Sequence, residues 1–188
     1  MTSYRCLNSQ IFSHKEYSIV PLRYEDRFKI MNWRNEQIDH LRQKTLLTTF
    51  DQNKYFDEII SHIFDIEKPN QILFSFLKDN ECIGYGGLVH IDWDKKTAEI
   101  SFIINTSLQN KLFKVSWVTF LKMIQEVAFN ELNFQKIYTY AFDLRKNLYL
   151  ILEECDFIFD SRIKKNYLFK GTYIDSVIYS KTNHEFKV

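Results

Sequence analysis

Two side chains near the middle of the sequence are suited to moving a proton. Glu99 lies in the run Thr97-Ala98-Glu99-Ile100-Ser101-Phe102. Alternation in such a run puts Thr97, Glu99 and Ser101 on one face of a strand and Ala98, Ile100 and Phe102 on the other. A carboxylate on an otherwise apolar sheet is raised in pKa by burial and can take a proton, through water if need be. A solvent-facing strand glutamate is the plainer reading of the same pattern. His90 closes the preceding apolar run, Cys82–His90. An imidazole titrates near neutrality and suits the same task, although a histidine at a strand end more often has a structural place. His14, His40, His62 and His184 show no partner pattern.

A second group is suited to binding. In Trp33-Arg34-Asn35, a guanidinium can hold a phosphate or carboxylate through two parallel hydrogen bonds. The indole of Trp33 can stack on a sugar or base ring. Packing in the core for Trp33 and bracing of a loop for Arg34 fit equally well. Gly84-Tyr85-Gly86-Gly87 holds three of the chain's 4 glycines within one apolar run. Glycine inside a strand marks a bulge or a close approach of something to the backbone, so Tyr85 is a candidate neighbour of a bound molecule. Cys6, Cys82 and Cys155 are far apart, and neither CxxC nor Cys/His spacing for a metal occurs. No metal is expected.

These side chains are positioned by elements that the hydrophobic period predicts. Tyr17–Leu22 reads as a strand and Tyr24–Asn32 as a helical turn, with Asn35 a candidate cap for a second short helix. A third helix starts near Thr49 or Asp51, with Tyr55, Ile59, His62, Ile63 and Ile66 on one face, and ends at Lys68-Pro69-Asn70. Gln71–Lys78, Cys82–His90 and Thr97–Ile104 form a three-stranded meander with turns at Asp79-Asn80-Glu81 and Asp92–Lys96. The longest helix runs from about Leu112 to Leu132, where Trp117, Phe120, Leu121, Ile124, Val127 and Ala128 recur near period 3.6. Gln135–Phe142 is a strand and Asn147–Cys155 a helix. Phe157–Phe169 and Thr172–Ser180 make a final hairpin around Lys170-Gly171. This order predicts an α/β (α+β) domain with one mixed sheet of about seven strands flanked by helices. The parallel part lies where the long helix crosses over.

Composition narrows the function classes. The sequence has 188 residues, 45% hydrophobic and 26% charged, with net charge +1. That is one domain's worth of chain with enough apolar material for a core. A near-neutral chain has no overall field to gather nucleic acid or anionic membrane; the densest basic stretch is only Arg162, Lys164 and Lys165. No apolar run approaches the length of a membrane span, and the first 17 residues carry no apolar signal core. A cytoplasmic location with reduced thiols is expected, with no nucleic acid and no membrane among the partners. Only 2 prolines accompany the 4 glycines, so any flexible loop has little glycine to draw on.

The order of elements carries a family resemblance. Leu22-Arg23-Tyr24-Glu25-Asp26 opens the first helix. Ala98-Glu99-Ile100 lies on the strand before the long helix. Ala128-Phe129-Asn130-Glu131-Leu132-Asn133, then Lys136-Ile137-Tyr138, leads out of that helix. Leu152-Glu153-Glu154-Cys155-Asp156-Phe157 ends the last one. Together these resemble the GNAT acetyltransferase superfamily over about residues 17–181, a core within a single domain spanning 1–188 and preceded by an extension, 1–16. Trp33-Arg34-Asn35 is similar to a bacterial subset that acetylates amino sugars of surface glycans and, more distantly, ribosomal-protein alanine residues.

The resemblance implies transfer of acetyl from acetyl-CoA to an amine. The amine must lose a proton, the carbonyl must be polarised, the thiolate must be helped to leave, and the CoA pyrophosphate must be held. It implies catalytic roles for Glu99 and His90. The family's acid is a tyrosine at the position of Leu152, so Tyr149, one turn earlier, is the substitute candidate. Ribosomal-type relatives also carry leucine there. Cofactor contacts are implied at Phe102 and Ile104, along Gln109, Asn110, Lys111, Leu112, Phe113 and Lys114, and at Asn147. The family's Gln/Arg-x-x-Gly-x-Gly/Ala loop aligns with Gln109–Lys114, which has neither glycine. Backbone N–H groups at a helix start bind anions without side chains, and Lys111 and Lys114 add charge. Arg145 replaces the usual asparagine and Asp156 the usual glycine. Trp33, Arg34, Asn35, Tyr85 and Tyr173, with Asp175, are implied substrate contacts. The expected acceptor is a small-molecule amine, a nucleotide-linked amino sugar foremost, with a protein N-terminus as the alternative. A degenerate binding module is the rival class. The expected assembly is a monomer or homodimer.

Overall fold

All seven expected strands form and join one sheet, in a computed structural model that describes residues 2–186. They are β2 (Tyr17–Pro21), β3 (Ile72–Lys78), β4 (Glu81–Asp92), β5 (Thr97–Ile104), β6 (Lys136–Phe142), β7 (Ile158–Phe169) and β8 (Thr172–Thr182). An eighth, β1 (Phe12–His14), pairs with β2 and lies within the stretch expected to be an extension. Tyr4, Leu7 and Phe12 there are buried, and the Tyr4 hydroxyl donates to the Leu73 carbonyl at 2.7 Å. These three side chains are therefore part of the core, a contribution too short in period to show as a pattern. The sheet order is β1-β2-β3-β4-β5-β6-β8-β7, antiparallel except where β5 meets β6. Asp79 and Asn80 both take positive φ, a tight two-residue hairpin turn that asparagine and aspartate tolerate.

Helices cover both faces. The long α4 (Gln109–Gln125), prolonged by a π-helical segment (Glu126–Glu131), lays its apolar stripe on one face. Phe120 stacks on Phe102 of β5 at 3.9 Å between centroids, with Trp117 edge-on to Phe102 at 5.0 Å. Burying such a ring stabilises the fold by about 1.5–3 kcal/mol. Helix α5 (Lys146–Glu154) lies beside α4. The other face carries α1 (Arg27–Glu36) and α2 (Thr49–Tyr55), the latter continued by a π turn (Phe56–Ile60) and the short α3 (Ser61–Ile63).

Three local expectations are corrected. Asn35 caps nothing. It sits inside α1 and its amide latches the backbone of Leu47 at both N–H and carbonyl, each at 2.8 Å. The cap of α2 is Thr48, in a reciprocal box with Asp51. Behind it, Phe56, Ile60, Ile63 and Phe64 face the core while Ile59 and Ile66 are exposed. A π turn adds a residue to the helical turn and so rotates the buried face away from the 3.6-residue prediction. Finally, α4 begins at Gln109, so Leu112 is already inside its first turn.

The glycines of β4 answer to neighbouring strands. A Cβ on Gly87 would stand 2.0 Å from the Ile72 carbonyl oxygen of β3, and one on Gly86 would stand 2.2 Å from the Ser101 carbonyl oxygen of β5. The close approach read from the sequence is that of backbone on both sides of β4. No described helix is long and apolar enough to cross a membrane.

Candidate active site

Strands β5 and β6 run side by side only from Thr97/Lys136 to Ile100/Thr139 and then part. Past that point their facing backbone groups have no strand partner on the other side. The Ile104 carbonyl instead accepts from Gln37 Nε2 at 2.8 Å. The gap is a cavity of about 370 Å³ lined by Ser101, Phe102 and Ile103 on one side and Thr139 to Phe142 on the other. Thr139 borders it, and its buried hydroxyl has no hydrogen-bond partner among the described residues.

Glu99 sits where the strands begin to part, with 6% of its side chain exposed. Burial raises its pKa, against the opposing pull of Arg42 and His90. His90 stands with Nε2 4.0 Å from Glu99 Oε2. It reaches there because β4 bulges between Val89 and Asp92, where His90 adopts φ +49°. Arg42, which the sequence did not single out, donates to the other oxygen, Glu99 Oε1. Thr97, Glu99 and Ser101 line the cavity or the hollow next to it, and Ile100 and Phe102 of the alternate face border the cavity too, Phe102 packing on α4.

Arg34 also lines the cavity. Its Nη1 donates to the Tyr85 hydroxyl at 2.5 Å and its Nε to Gln43 at 3.0 Å, both neutral partners. Tyr85 is thus a brace behind Arg34. Trp33, one residue away on α1, points elsewhere: it is buried and borders a separate hollow with Lys29, Asn32 and Cys82. Its stacking role has no support, because neighbours on a helix diverge by about 100°. Asn35 is spent on Leu47. Tyr173 is 62% exposed on β8, with Asp175 nearby paired to Arg162 at 3.0 Å; neither borders the cavity.

The cavity opens through His40 and Arg145 into a larger groove of about 880 Å³ at the start of α4. Gln109, Asn110, Lys111, Phe113, Lys114 and Asn147 line that groove, whereas Leu112 does not. Phe102 lines the cavity, and Ile104 is buried behind it. Lys114 is tied to Glu154 at 2.7 Å, which leaves Lys111 as the unengaged charge of the two. Helix α4 continues directly from a 3-10 turn, Thr106–Leu108, which Asn105 caps by accepting from the Ser107 N–H at 3.0 Å, and the Gln109 N–H donates to the Thr106 carbonyl. At the throat, Gln37 Oε1 accepts from Gln109 Nε2 at 2.5 Å and from Arg145 at 3.0 Å. Burial alone pulls the Arg145 guanidinium down to about 10. Burial and the charge of Arg145 hold His40 down at about 4, so its ring is neutral at physiological pH. His40 carries no motif and Arg145 stands where the family's usual asparagine would; their convergence in space brings them to the throat.

Tyr149 is placed away from this chemistry. Its hydroxyl donates to Asp143 at 2.9 Å and its ring stacks on Tyr179 at 5.3 Å. Burial, then that bond, push the phenol above its ordinary value. It borders neither the cavity nor the groove, and its hydroxyl is engaged by Asp143, which lines the groove. Among the described residues no group of three metal-ligating side chains occurs.

Comparison with known proteins bears on what this cleft serves. A family model described as an acetyltransferase (GNAT) domain matches residues 19–178. None of the curated proteins matches the chain. Among solved structures, spermidine N-acetyltransferase from Vibrio cholerae in complex with CoA and spermine superposes with a TM-score of 0.78 at 18% identity, covering 92% of this chain and 99% of that one. The dodecameric form of that enzyme gives 0.74 at 20%, covering 92% and 97%. Ribosomal-protein-S5-alanine acetyltransferase from Vibrio fischeri gives 0.76 at 15%, covering 96% and 100%. At these identities the likeness is one of fold. None of the three is an amino-sugar acetyltransferase, the subset that Trp33-Arg34-Asn35 resembles.

Proposed function

The chain belongs to the GNAT acetyltransferase family, an enzyme with acetyl-CoA as cosubstrate, and from that premise we propose that its acceptor is a primary amine on a molecule that also carries an anionic group, a nucleotide-linked amino sugar foremost. One observation supports this most. Arg34, Arg42 and Arg145 all line the cleft, against a single carboxylate, Glu99. Among the described residues neither Arg34 nor Arg145 has an acidic partner. Both are half-buried, and a partly desolvated cation gains from an anion that pairs with it, which an acceptor bearing phosphate or carboxylate supplies. A polyamine would bring more positive charge to the same place.

The residues present fit the cosubstrate. Thr139 and the backbone groups past Ile100 that lack a strand partner border a cavity that continues to the groove at the start of α4. Acetyl-CoA brings an activated thioester carbonyl. Glu99, buried and raised in pKa, takes the proton that the acceptor's ammonium must lose before its nitrogen has a lone pair. Arg34, fixed by Tyr85 and Gln43, adds positive charge to the cavity that receives the acceptor's anionic group. Lys111 and the α4 N–H groups hold phosphate oxygens at the far end.

The test is transfer of labelled acetyl to a panel: a nucleoside-diphosphate-linked amino sugar, the free amino sugar, spermidine and a peptide with an N-terminal alanine. Labelling of the nucleotide sugar is expected. Labelling of spermidine alone, or of the peptide alone, would sink the amino-sugar assignment and favour the polyamine or protein N-terminus as acceptor.

A further inference from the structure

Arg42 stands directly on the base. Its guanidinium donates to Glu99 Oε1 and lies over the Tyr140 ring, 4.8 Å from the centroid. It is carried by the segment 41–48, between the 3-10 turn Ile38–His40 and α2. The Arg42 side chain is 46% exposed, against 6% for Glu99. Arg42, His90, Glu99 and Tyr140 line both the cleft and a neighbouring hollow of about 490 Å³. The Arg42–Glu99 pair is therefore the partition between the two spaces. In the hollow, Lys136 is matched to Asp160 at 3.2 Å, so Arg42 is the cation there whose partner is a catalytic group.

That arrangement conflicts with the work of a base. The groups facing Glu99 are Arg42 from the 41–48 segment, His90 from β4 and the Tyr138 hydroxyl from β6. A guanidinium on a carboxylate favours its charged form and so weakens its hold on a proton. A general base works best with a pKa near the operating pH. Moving the guanidinium onto another anion frees the carboxylate and leaves burial to raise its proton affinity. Arginine suits the exchange because its planar fork matches carboxylate and phosphate alike.

We propose that Arg42 determines acceptor specificity by exchanging Glu99 for the anionic group of the acceptor, so that binding of an acid-bearing amine releases the base. This rests on the acetyl-transfer function proposed above. The acceptor's phosphate or carboxylate takes the guanidinium, and Glu99 then accepts the proton of the adjacent ammonium. An amine without an acid group leaves Arg42 where it is.

The experiment compares wild type, R42M and R42K, each saturated with acetyl-CoA, on a nucleoside-diphosphate-linked amino sugar and on the methyl glycoside of the same sugar. Wild type is expected to prefer the charged acceptor in kcat/KM. R42M should lose that preference at least tenfold, and the acid limb of its kcat/KM profile should move to higher pH, because free Glu99 has lost its guanidinium. R42K should recover part of the preference. Equal losses on both acceptors with an unmoved acid limb would mean a structural role and overturn the proposal. A second arm measures calorimetric binding of the nucleoside diphosphate alone to CoA-loaded protein, expected to weaken at least tenfold in R42M. If wild type acetylates neither sugar, the proposed function fails and this arm alone decides: equal affinity in wild type and R42M overturns the role of Arg42.

Discussion

Glu99 has Arg42 bonded to one oxygen and His90 Nε2 4.0 Å from the other, and burial still carries its pKa upward. Replacing it with glutamine keeps the shape and removes the proton acceptor. Glu99→Gln should lower kcat by about 10²–10⁴-fold while calorimetric CoA affinity stays unchanged; a normal kcat would end its assignment as base. A base with a raised pKa loses activity as pH falls through that value, so the acid limb of the wild-type kcat/KM profile should lie above the ordinary glutamate value of 4.5. The two lysines of the groove differ in a way their sequence positions hide. Lys114 is spent on Glu154 and Lys111 is not. Lys111→Ala should therefore raise the KM for acetyl-CoA more than Lys114→Ala does, and added salt should shrink the difference, since exposed charges are screened. Equal effects at all salt concentrations would place the pyrophosphate on backbone alone.

At the scale of elements, the sheet and the first helix are joined by a buried acid. Asp26, at the start of α1, accepts from Arg23 at 2.7 and 3.0 Å and from the Ser75 hydroxyl of β3 at 2.7 Å. Burial pushes its pKa up, but the bonds from Arg23 and Ser75 outweigh it and the net shift is downward. A carboxyl lowered in the folded state stabilises fully above its unfolded value and loses that contribution as pH falls through the folded one. Asp26→Asn should cost about 3 kcal/mol at neutral pH, and the gap from wild type in urea unfolding should close below the ordinary aspartate value of 3.8. The strands make a second prediction. Alanine at Gly87 must push β3 and β4 apart, and about 3 kcal/mol is expected for such overpacking. Gly171, at φ +83° with nothing within 4 Å of its would-be Cβ, should lose only about 1 kcal/mol on the same change. Similar unfolding midpoints for the two variants would show that β4 yields easily.

Across the whole molecule the charge is nearly balanced, at +1, yet the cleft gathers three guanidiniums on one carboxylate. Recognition is then local: a neutral chain does not steer ligands from afar, but its cleft selects among those that arrive. Spermidine should be at least tenfold poorer in kcat/KM than an acid-bearing amine, and added salt should weaken the acid-bearing substrate most. A polyamine preference that persists at low salt would contradict the charge argument. The far edge of the sheet carries another signal of whole-molecule scale. Ile158, Phe159, Ile163 and Leu168 are exposed along β7, whose outer edge has no strand partner among the described residues.

Alternation and period determined the seven main strands, the long helix and the parallel join of β5 to β6, because those elements bury one face and the buried face writes its period into the sequence. The same alternation gave the side of β5 that bears Glu99. The clustered glycines signalled close approach, though not by what. Tertiary structure alone decided the rest. It turned Trp33 away from Arg34, committed Asn35 to a loop and Tyr149 to Asp143, and rotated the helix behind Thr48 through a π turn. It also brought Gln37, His40, Arg42 and Arg145 to the cleft. Each of these depends on which distant polar groups meet, and a hydrogen bond between residues a hundred positions apart leaves no period in the chain. The proton acceptor was legible because it lies on a patterned strand; Arg42, which is bonded to it, comes from the 41–48 segment, where no pattern is written.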